Sequence, residues 1–465
     1  MSQRRRIHFE ISERKIFLRI FDIFWVLTTL YFTGLFFHLD YFTINADFWV
    51  WTLMLTLYLT LFSSVFELYD LQKASRYETV LKNVFLASSV TVLVYLLTPI
   101  LTPVLPNNRM QILYFYLAVV FALLVWRFAY IRFISSPRFY KRVLVIGDAF
   151  DMDKIADQLL RADPNYSVVS YLNTGSEQNR EIKSRKGISH YHSESITNII
   201  RRHKIDEILI NELDPENDSA DLSEEIFVLL KRGFPVRDFN QVYEEKTHRI
   251  PVQMINRNFY EFFRFSRSND NKFYQIFHRT ADIIISVIGL VIGFILVPFI
   301  FLGNLVANRG SLFYKQERVG RNGEVFEIIK FRTMELNAEP NGAQWTTKND
   351  SRVTRFGKFL RRSRLDEIPQ FYNILKGEMS FIGPRPERPF FVKELSEAIP
   401  FYDTRHFIKP GLTGWAQVMT DYADSHADSL EKLQYDLYYI KYRNIFIDIT
   451  ILTKTLSTII FFRGQ

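Results

Sequence analysis

Long apolar blocks, each near the length of a bilayer span, constrain the fold of this 465-residue sequence most strongly. Four of them lie at 16–39, 46–68, 80–101 and 110–134, and a fifth covers 281–307. A helix needs about 20 apolar residues to cross the hydrocarbon core of a membrane. Highly charged stretches separate the blocks, so the pattern predicts a membrane protein with additional soluble domains.

The distribution of positive charge predicts the orientation of the first four blocks. Basic residues precede the first block at Arg4–Arg6, and Arg127 stands at the end of the fourth. The loops at 40–46 and 102–108 contain no Lys or Arg. Because Lys and Arg accumulate in cytoplasmic loops, we expect a four-helix transmembrane domain over 1–138 with both ends in the cytoplasm.

The fifth block contains a proline in mid-segment, Pro298, which breaks the helical hydrogen-bond ladder. Basic residues precede the block at Arg279 and follow it at Arg309 and Lys315, so positive charge cannot orient a spanning helix. We therefore expect a re-entrant helix over 281–307 that turns at Pro298 and returns to the cytoplasm. The alternative is an ordinary kinked span, which would place the following domain on the other side of the membrane.

Residues 139–245 alternate between strand and helix patterns, which is typical of a doubly wound, Rossmann-like α/β domain. The predicted strands are 141–147, 166–172, 206–211 and 235–239, and the predicted helices are 151–161, 194–203 and 219–232. The first turn, 147–151, holds only one of the three glycines of the dinucleotide-binding fingerprint, so no nucleotide cofactor is predicted there. Residues 246–274 form a polar and aromatic linker to the region 275–465.

Composition excludes several kinds of site. The chain has no cysteine, which excludes disulfides and thiolate metal sites. Its nine histidines show no H-x-x-x-H spacing, which argues against zinc. The net charge of +8 suits nucleic acid, an anionic membrane surface or phosphorylated substrates. No nucleic-acid-binding motif is present, so we expect no nucleic-acid partner and favour the membrane and phosphates.

The run at 363–370 places two adjacent carboxylates, Asp366 and Glu367, directly after a stretch rich in arginine. A short helical pattern follows at 367–376 and ends at a glycine. Pro369 is tolerated only in the first turn of that helix, so Asp366 is predicted at or near its N-cap. A helix N-terminus among cations suits phosphate, and a carboxylate there can act as a nucleophile. The simpler alternative is an acidic N-cap without a catalytic role.

Further short runs in the same region carry cations. A hairpin turn is predicted at 321–323, and strand alternation predicts that Lys330 and Arg332 share one face. Two prolines fix the backbone around Arg385, which suits a diphosphate or a carboxylate. The glycine-rich loop at 409–417 can approach a phosphate closely. The simpler alternatives are a solvated strand face for the pair and a surface turn for the loop.

With these motifs, the region 275–465 resembles the bacterial polyprenyl-phosphate glycosylphosphotransferases. The matching runs are QERVG at 316–320, KFRTM at 330–334, SRLDEIPQ at 363–370, SFIGPRPER at 380–388 and KPGLTGWAQV at 409–418. The N-terminal bundle and α/β domain resemble the larger members, which include undecaprenyl-phosphate glucose and galactose phosphotransferases. The resemblance implies transfer of a sugar-1-phosphate, glucose or galactose, from a UDP-sugar to undecaprenyl phosphate with release of UMP. It implies the first membrane step of exopolysaccharide, capsule or O-antigen synthesis.

The resemblance also assigns roles to residues. Asp366 matches the nucleophile that forms a covalent phospho-sugar intermediate, and Glu367 matches the partner that helps to position it and the acceptor. Mg²⁺ is the implied cofactor, bound by Asp366 and the diphosphate. Pro298 matches the kink of a re-entrant helix, although Val297 stands where many members have Ser. The expected substrate-binding residues are Arg318, Lys330, Arg332, Arg361, Arg364, Arg385, Arg388 and Lys409.

The expected partners are therefore a UDP-sugar, undecaprenyl phosphate and membrane lipids, and a homodimer is left open. The expected location is the bacterial inner membrane, with several spans and a cytoplasmic α/β catalytic domain. Two other classes stay open, namely a non-catalytic membrane scaffold of a polysaccharide assembly complex and a transporter or flippase. Five blocks are few for a transporter, and the acids within them, Asp22 and Asp282, lie near block ends.

Overall fold

The computed structural model of the chain separates into two compact units, residues 1–247 and 248–465. The structure describes residues 11–37, 41–42, 49–134, 140–147, 152–174, 187–191, 194–211, 220–252, 271–308, 310–335, 338, 344, 350–420 and 426–460. Most of the predicted linker, at 253–270, and the turn residues 148–151 lie outside these ranges.

Four apolar helices form the first part of the first unit, as the sequence predicts. They are α1 (Ile11–Phe37), α2 (Trp49–Val65), α3 (Tyr77–Leu96) and α4 (Met110–Phe133). Helix α1 packs on α4, α2 on α3, and α3 on α4. Helices α1, α3 and α4 are long and apolar enough to cross a membrane, whereas α2 has 17 described residues, fewer than the block predicted at 46–68.

A buried ion pair joins α1 to α4, and it includes Arg127, one of the basic residues at the end of the fourth apolar block. The Arg127 Nε and Nη2 atoms donate to the two Asp22 carboxylate oxygens at 3.0 and 2.5 Å, and Nη1 donates to the Leu68 carbonyl at 2.6 Å. Both charged side chains are fully buried. Burial of either charge alone would be costly, so each requires the other.

The α/β part of the first unit contains one five-stranded sheet in which all strands are parallel, with the order β3-β2-β1-β4-β5. Its elements are β1 (Lys141–Gly147), α5 (Met152–Ala162), β2 (Tyr166–Asn173), β3 (Ser189–Tyr191), α6 (Ile196–His203), β4 (Glu207–Ile210), α7 (Ala220–Lys231), β5 (Val236–Asp238) and α8 (Phe239–Thr247). The short edge strand β3 is absent from the sequence prediction, because three half-buried residues give no periodic signal.

A second buried charge cluster connects the bundle to the α/β part. Arg14 of α1 donates to one Asp163 carboxylate oxygen at 2.9 Å, and Lys246 of α8 donates to the other at 3.1 Å. All three side chains are buried. The cluster contains two cations and one carboxylate, and it fixes α1 against the turn that follows α5.

The second unit begins with α9 (Lys272–Ala307), which is capped by Asn271 and contains Pro298. One face of α9 lies against the rest of the unit at glycines. A Cβ atom at Gly289 would stand 2.4 Å from the Phe371 ring, and one at Gly293 would stand 2.6 Å from Ile368. Any larger residue at these positions would therefore push the helix away from the elements that follow it.

The remaining elements of the second unit form two small sheets surrounded by helices. They are β6 (Phe313–Val319), β7 (Val325–Phe331), α10 (Arg355–Arg362), α11 (Gln370–Lys376), β8 (Ser380–Ile382), α12 (Pro389–Ala398), β9 (Gly411–Thr413), α13 (Trp415–Met419), α14 (His426–Tyr442) and α15 (Ile445–Ile460). Strands β6 and β7 form the predicted antiparallel hairpin, with its turn at Arg321–Gly323. Strands β8 and β9 pair in parallel.

The last two helices of this unit differ in how much of their surface is buried. Helix α14 contributes Leu433, Tyr439 and Ile440 to the main core of the unit, so most of it is a packing element. Helix α15 buries Ile451 in the same core but leaves the Phe446 side chain 76% exposed. Only the second of the two helices therefore presents a surface with the amphipathic character expected at a membrane interface.

Candidate active site

The two adjacent acids lie in a 3-10 turn, Leu365–Glu367, between α10 and α11. Arg364 precedes the turn with a left-handed backbone, φ 58°, and Pro369 is the N-cap of α11. The helix predicted at 367–376 thus begins at Gln370, and Asp366 lies before it rather than at its N-cap. The 3-10 hydrogen bonds from Glu367 and Ile368 take the place of a first α-helical turn. Gly377, with φ 88°, ends the helix as predicted.

Apolar side chains on both sides of the acids anchor this turn on α9. Leu365 and Ile368 pack in a cluster with Ile300, Phe331 and Leu360, and Leu296 and Val297 of α9 join the same cluster. Val297 is therefore a packing residue of this cluster. The position of the acids depends on the helix that bears Pro298, because the turn itself is too short to hold a fixed conformation alone.

Glu367 is surrounded by three cations. Its Oε1 atom accepts from Arg385 Nη2 at 2.8 Å and lies 3.5 Å from Lys330 Nζ, while its Oε2 atom lies 3.4 Å from Arg364 Nη1. Burial opposes ionisation of this carboxyl, but Arg385, Lys330 and Arg364 outweigh burial and hold its pKa well below the usual range. Glu367 is therefore ionised at every physiological pH, and its lone pairs are committed to cations.

Asp366 has the opposite environment although it is the next residue. Its side chain is buried to the same extent, with 7% exposed, yet no residue in the described part of the chain donates a hydrogen bond to it. Burial, followed by the negative charge of Glu367, raises the pKa of Asp366 to about 6, against the opposing effect of Lys330, Arg361 and Arg364. Its carboxylate is thus free to attack a substrate or to bind a metal ion.

The hairpin and α11 together bring Lys330 to the acids. Asn373 of α11 accepts a hydrogen bond from the Ile329 amide at 3.2 Å and donates to the Glu327 carbonyl at 2.7 Å, which fixes β7 against the helix. Burial, with additional repulsion from Arg385 and Arg318, lowers the pKa of Lys330 to about 8, although Glu367 opposes this effect. Lys330 is therefore a cation at neutral pH that can also lose its proton in mildly alkaline solution.

A second layer of side chains, which sequence reasoning did not find, holds Arg385 in place. Arg405 donates from Nη2 to the Arg385 carbonyl at 3.0 Å and to Asp436 at 2.8 Å, and from Nη1 to the Tyr402 hydroxyl at 2.5 Å. Arg405 and Asp436 are buried. Arg318 supports the same loop from the hairpin, because its Nη1 atom donates to the Pro386 carbonyl at 3.0 Å. No sequence signal marks Arg405, since Arg385 and Asp436 lie 20 and 31 residues away from it.

The other predicted substrate-binding residues fall into two groups. Arg361 is held near Asp366 by a hydrogen bond from its Nε atom to the Thr333 hydroxyl at 3.0 Å, and its charge acts on that carboxyl. Arg332, Arg388 and Lys409 do not join this cluster. Arg332 follows the last residue of β7 and donates to the Ser311 hydroxyl rather than to either acid. Arg388 lies over the Phe391 ring, and Lys409 lies near Gly377, at the other end of α11.

The residues at the site are compatible with only one mode of metal binding. No group of three or more His, Cys, Asp or Glu side chains within the described ranges could hold a metal ion. Asp366 is the one carboxylate of the pair whose oxygens are not engaged by cations. A single carboxylate, completed by water and substrate phosphates, is a ligand set that Mg²⁺ accepts.

This arrangement can perform phosphoryl chemistry. A buried carboxylate without donors is adjacent to Lys330, Arg361, Arg364 and Arg385, which can hold phosphate oxygens. Glu367 keeps these cations together, because without it four positive charges would repel one another at one place.

Comparison with known proteins agrees with this chemistry. Residues 273–462 match the family described as "Bacterial sugar transferase". The UDP-N-acetylgalactosamine-undecaprenyl-phosphate N-acetylgalactosaminephosphotransferase of Aeromonas hydrophila is 38% identical over 226 residues, which cover 49% of this chain and 52% of that protein. The UDP-glucose:undecaprenyl-phosphate glucose-1-phosphate transferase of Xanthomonas campestris pv. campestris is 38% identical over 188 residues, or 40% of this chain and 39% of that protein.

A shorter relative is matched over most of its length. The Bacillus subtilis (strain 168) protein named "Putative undecaprenyl-phosphate N-acetylgalactosaminyl 1-phosphate transferase" is 43% identical over 141 residues, which cover 30% of this chain and 79% of that protein. The matched region of the two longer relatives is about half of their length or less. The chain therefore belongs to the bacterial sugar transferases, the polyprenyl-phosphate glycosylphosphotransferase family that its motifs resemble.

Proposed function

We propose that this protein transfers a sugar-1-phosphate from a UDP-sugar to undecaprenyl phosphate and releases UMP. The observation that carries the proposal is the unequal pair of acids. Glu367 is neutralised by three cations, whereas Asp366 is buried without a donor among the described residues. A carboxylate kept free of hydrogen bonds within a cationic pocket is suited to attack an anionic phosphorus centre.

The proposed reaction has two displacement steps. An Asp366 carboxylate oxygen attacks the phosphorus that carries the sugar, the bond from that phosphorus to the UMP oxygen breaks, and UMP leaves. A phosphate oxygen of undecaprenyl phosphate then attacks the same phosphorus, and the bond to Asp366 breaks. The carboxylate is regenerated and the product is an undecaprenyl-diphosphate sugar. Two steps allow one site to serve a donor from water and an acceptor from the membrane in turn.

The cations have separate tasks in this scheme. Lys330, Arg361 and Arg364 act on the charge of Asp366 and are available to hold the donor diphosphate near it. Arg385 is engaged with Glu367 and orients that residue. Mg²⁺, if bound by Asp366 and the diphosphate, would neutralise charge between the nucleophile and its target.

We further propose that α9 is re-entrant and that the site faces the cytoplasm of the bacterial inner membrane. The proposal is supported by contacts of the same unit with both ends of α9. Near its start, Arg279 donates to the Ile374 and Leu375 carbonyls at 2.6 and 2.7 Å. After its end, Asn308 donates to the Arg332 carbonyl at 3.0 Å. A helix that crossed the bilayer would separate its two ends by the membrane thickness, so one domain on one side could not contact both.

The α/β part is proposed to be doubly wound, because its strand order runs outward from β1 in both directions. The sugar is proposed to be glucose or galactose, and the names of the relatives add N-acetylgalactosamine to the donors that a test must include. The reaction would be the first membrane step in the synthesis of a polysaccharide.

The test is a donor panel with purified full-length protein in vesicles. Radiolabelled UDP-glucose, UDP-galactose and UDP-N-acetylgalactosamine are each incubated with undecaprenyl phosphate and Mg²⁺, and UMP and lipid-soluble label are measured. We expect one donor to give both products in equal amounts. Without the acceptor, the same donor should leave label on the protein in a hydroxylamine-sensitive bond, as expected for an acyl phosphate.

The Asp366→Asn variant is the control for the covalent step, because it keeps the shape of the side chain but replaces the carboxylate with an amide, whose oxygen is a poor nucleophile. It should lose the label on the protein and both products. Label on this variant would refute the nucleophile assignment, and the absence of UMP release with every donor would refute the enzyme.

A further inference from the structure

We propose that Lys409 and Arg279 form a second phosphate site, which binds the phosphate of a membrane lipid at the end of α11 opposite to Asp366. This cluster is named the Lys409 site below. It goes beyond the proposed transfer reaction, because none of its members contacts Asp366 or Glu367.

The Lys409 site surrounds a glycine, Gly377, which leaves a small space where another residue would place its side chain. Gly377 follows α11 with φ 88°, and a Cβ atom placed there would lie 3.4 Å from Lys409 Nζ and 3.7 Å from an Arg279 guanidinium nitrogen. The two cationic groups therefore border the same small space. A phosphate oxygen in that space could accept from both groups.

Within the described part of the chain, no carboxylate forms an ion pair with Lys409. Arg279 uses its Nη1 and Nη2 atoms on the Ile374 and Leu375 carbonyls, and so already satisfies the end of α11. Within the described residues, Lys409 makes no hydrogen bond or ion pair. Burial, followed by repulsion from Arg279 and Arg321, lowers the pKa of Lys409. A half-buried cation next to two others favours the binding of an anion.

Asp282, the acid whose charge acts on Lys409, is engaged with other partners. Asp282 accepts from the Ser380 hydroxyl at 3.0 Å and from the Phe381 amide at 2.8 Å. The His278 ring lies 3.8 Å from the same carboxylate. Asp282 partly offsets the repulsion at Lys409, but it lies beyond ion-pair distance and does not neutralise the site.

The surroundings indicate a lipid rather than a soluble phosphate. Arg279 belongs to α9, and in the two preceding turns of α9 Phe273 and Ile276 are 86% and 64% exposed. Exposed apolar side chains at this density mark a surface that contacts membrane. A phosphate that reaches the Lys409 site is therefore at the level of lipid headgroups, where basic residues attract anionic lipids.

The test is lipid-dependent stabilisation of the full-length protein in detergent. The thermal unfolding midpoint is measured during titration with phosphatidylglycerol, phosphatidylcholine, undecaprenyl phosphate or inorganic phosphate. We expect stabilisation by at least one lipid phosphate with net negative charge, and a half-saturating concentration at least tenfold higher for Lys409→Gln. Lys376→Gln is the matched control, since Lys376 is one residue from Gly377 but is exposed and paired with Glu378 at 3.0 Å.

Several outcomes would overturn the proposal. These are equal responses of the wild type and Lys409→Gln, a loss in Lys376→Gln as large as that in Lys409→Gln, no preference for anionic lipid over phosphatidylcholine, or an equal effect of inorganic phosphate. Lys409→Arg should retain the response, which separates loss of charge from misfolding. The comparison of phosphatidylglycerol with undecaprenyl phosphate identifies the source of the phosphate. Repeating the titration in Asp366→Asn separates this site from catalysis, because lipid binding should persist there.

Discussion

The buried charges of the bundle and those of the candidate active site follow opposite rules. In the bundle, both oxygens of Asp22 receive a donor from Arg127, and neither side chain is exposed. At the active site, three cations surround Glu367 while Asp366 receives no hydrogen bond from the described residues. A closed ion pair stabilises one packing arrangement. A buried carboxylate without a paired cation, such as Asp366, is reactive, but it destabilises the fold, and other interactions must offset that cost.

The difference also shows why the two acids at 366 and 367 are not redundant. Glu367 neutralises the cations, and Asp366 is left without partners because Glu367 has taken them. A single acid at this place could not be both the counter-charge of three cations and a free nucleophile.

The largest expected effect comes from removing the free member of the active-site pair. Asp366→Asn should lower sugar-phosphate transfer on the order of 10⁴-fold or more, because an amide oxygen is a poor nucleophile. The measurement is UMP release under saturating donor. Glu367→Gln should retain the nucleophile but leave Arg385, Lys330 and Arg364 without their counter-charge. If Asp366→Asn turned over at a near-normal rate, the free carboxylate would have no catalytic role.

Substitutions in the Asp22–Arg127 ion pair of the bundle should lower stability and leave catalysis unchanged. Arg127→Met leaves Asp22 buried without a counter-charge, which should cost about 3–5 kcal/mol of stability. Thermal unfolding in detergent measures the loss, and activity per folded molecule should be unchanged.

Two further variants sharpen this test. The control is Arg132→Met, because Arg132 is an exposed residue of the same helix. This substitution should change stability by no more than about 0.5 kcal/mol. The double variant Asp22→Leu with Arg127→Met removes both charges and should recover most of the loss. A double variant as unstable as Arg127→Met would mean that the hydrogen bond from Arg127 to Leu68, and not the ion pair, is the main contribution.

Local features of both regions were predictable from the sequence, whereas pairings between distant residues were not. Apolar block length predicted the four bundle helices, and Gly377 predicted the end of α11. The pairing of Asp22 with Arg127 joins residues 105 positions apart, and no periodic pattern reports such a contact. Arg127 therefore looked like one more basic residue at the end of a span.

The candidate site shows the same limit at shorter range. The motif runs contain the two acids and most of the cations around them, but Arg332 lies one residue beyond the end of β7 and bonds to Ser311 instead. The helix boundary was misplaced because a 3-10 turn precedes Pro369. The sequence did not indicate a role for Arg405 and Asp436, because they belong to no short motif. Arg405 supports the site through the backbone carbonyl of Arg385, which a sequence pattern does not report.

The supporting layer behind Arg385 should have an intermediate effect. Arg405→Lys keeps the charge but cannot serve the Arg385 carbonyl, Asp436 and Tyr402 together, since lysine has no planar fork of donors. We expect about a 10- to 100-fold loss in kcat with little change in KM, because Arg385 would no longer hold Glu367 firmly. The measurement is steady-state UMP release at several donor concentrations.

A purely structural role for Arg405 predicts a different pattern. In that case Arg405→Lys would lower the unfolding midpoint without changing kcat per folded molecule, and its effect would simply add to that of Arg385→Lys. Positioning through Arg385 predicts that the double variant is little worse than Arg385→Lys alone, because the two changes act on one element.

The smallest expected effect is that of pH on the free carboxylate, and it tests the comparison most directly. The pKa of Asp366 is raised to about 6, and the proposed mechanism requires Asp366 to be ionised. Activity at low donor concentration should therefore fall about tenfold between pH 7 and pH 5. It should fall again above pH 8, since the pKa of Lys330 is lowered to about 8 and a neutral lysine no longer holds phosphate. The measurement is kcat/KM for UMP release from pH 5 to pH 9.

Between pH 7 and pH 5, the contribution of Asp366 to the free energy of unfolding should rise while the activity falls. The folded protein holds the Asp366 proton more tightly than the unfolded chain, so this residue contributes stability below pH 4 that is lost as the pH rises through about 6. Asp366→Asn cannot ionise and should lose this dependence, becoming more stable than the wild type at pH 7. If the variant is instead no more stable there, the open carboxylate carries no energetic cost, and the contrast with the closed pair of the bundle does not hold.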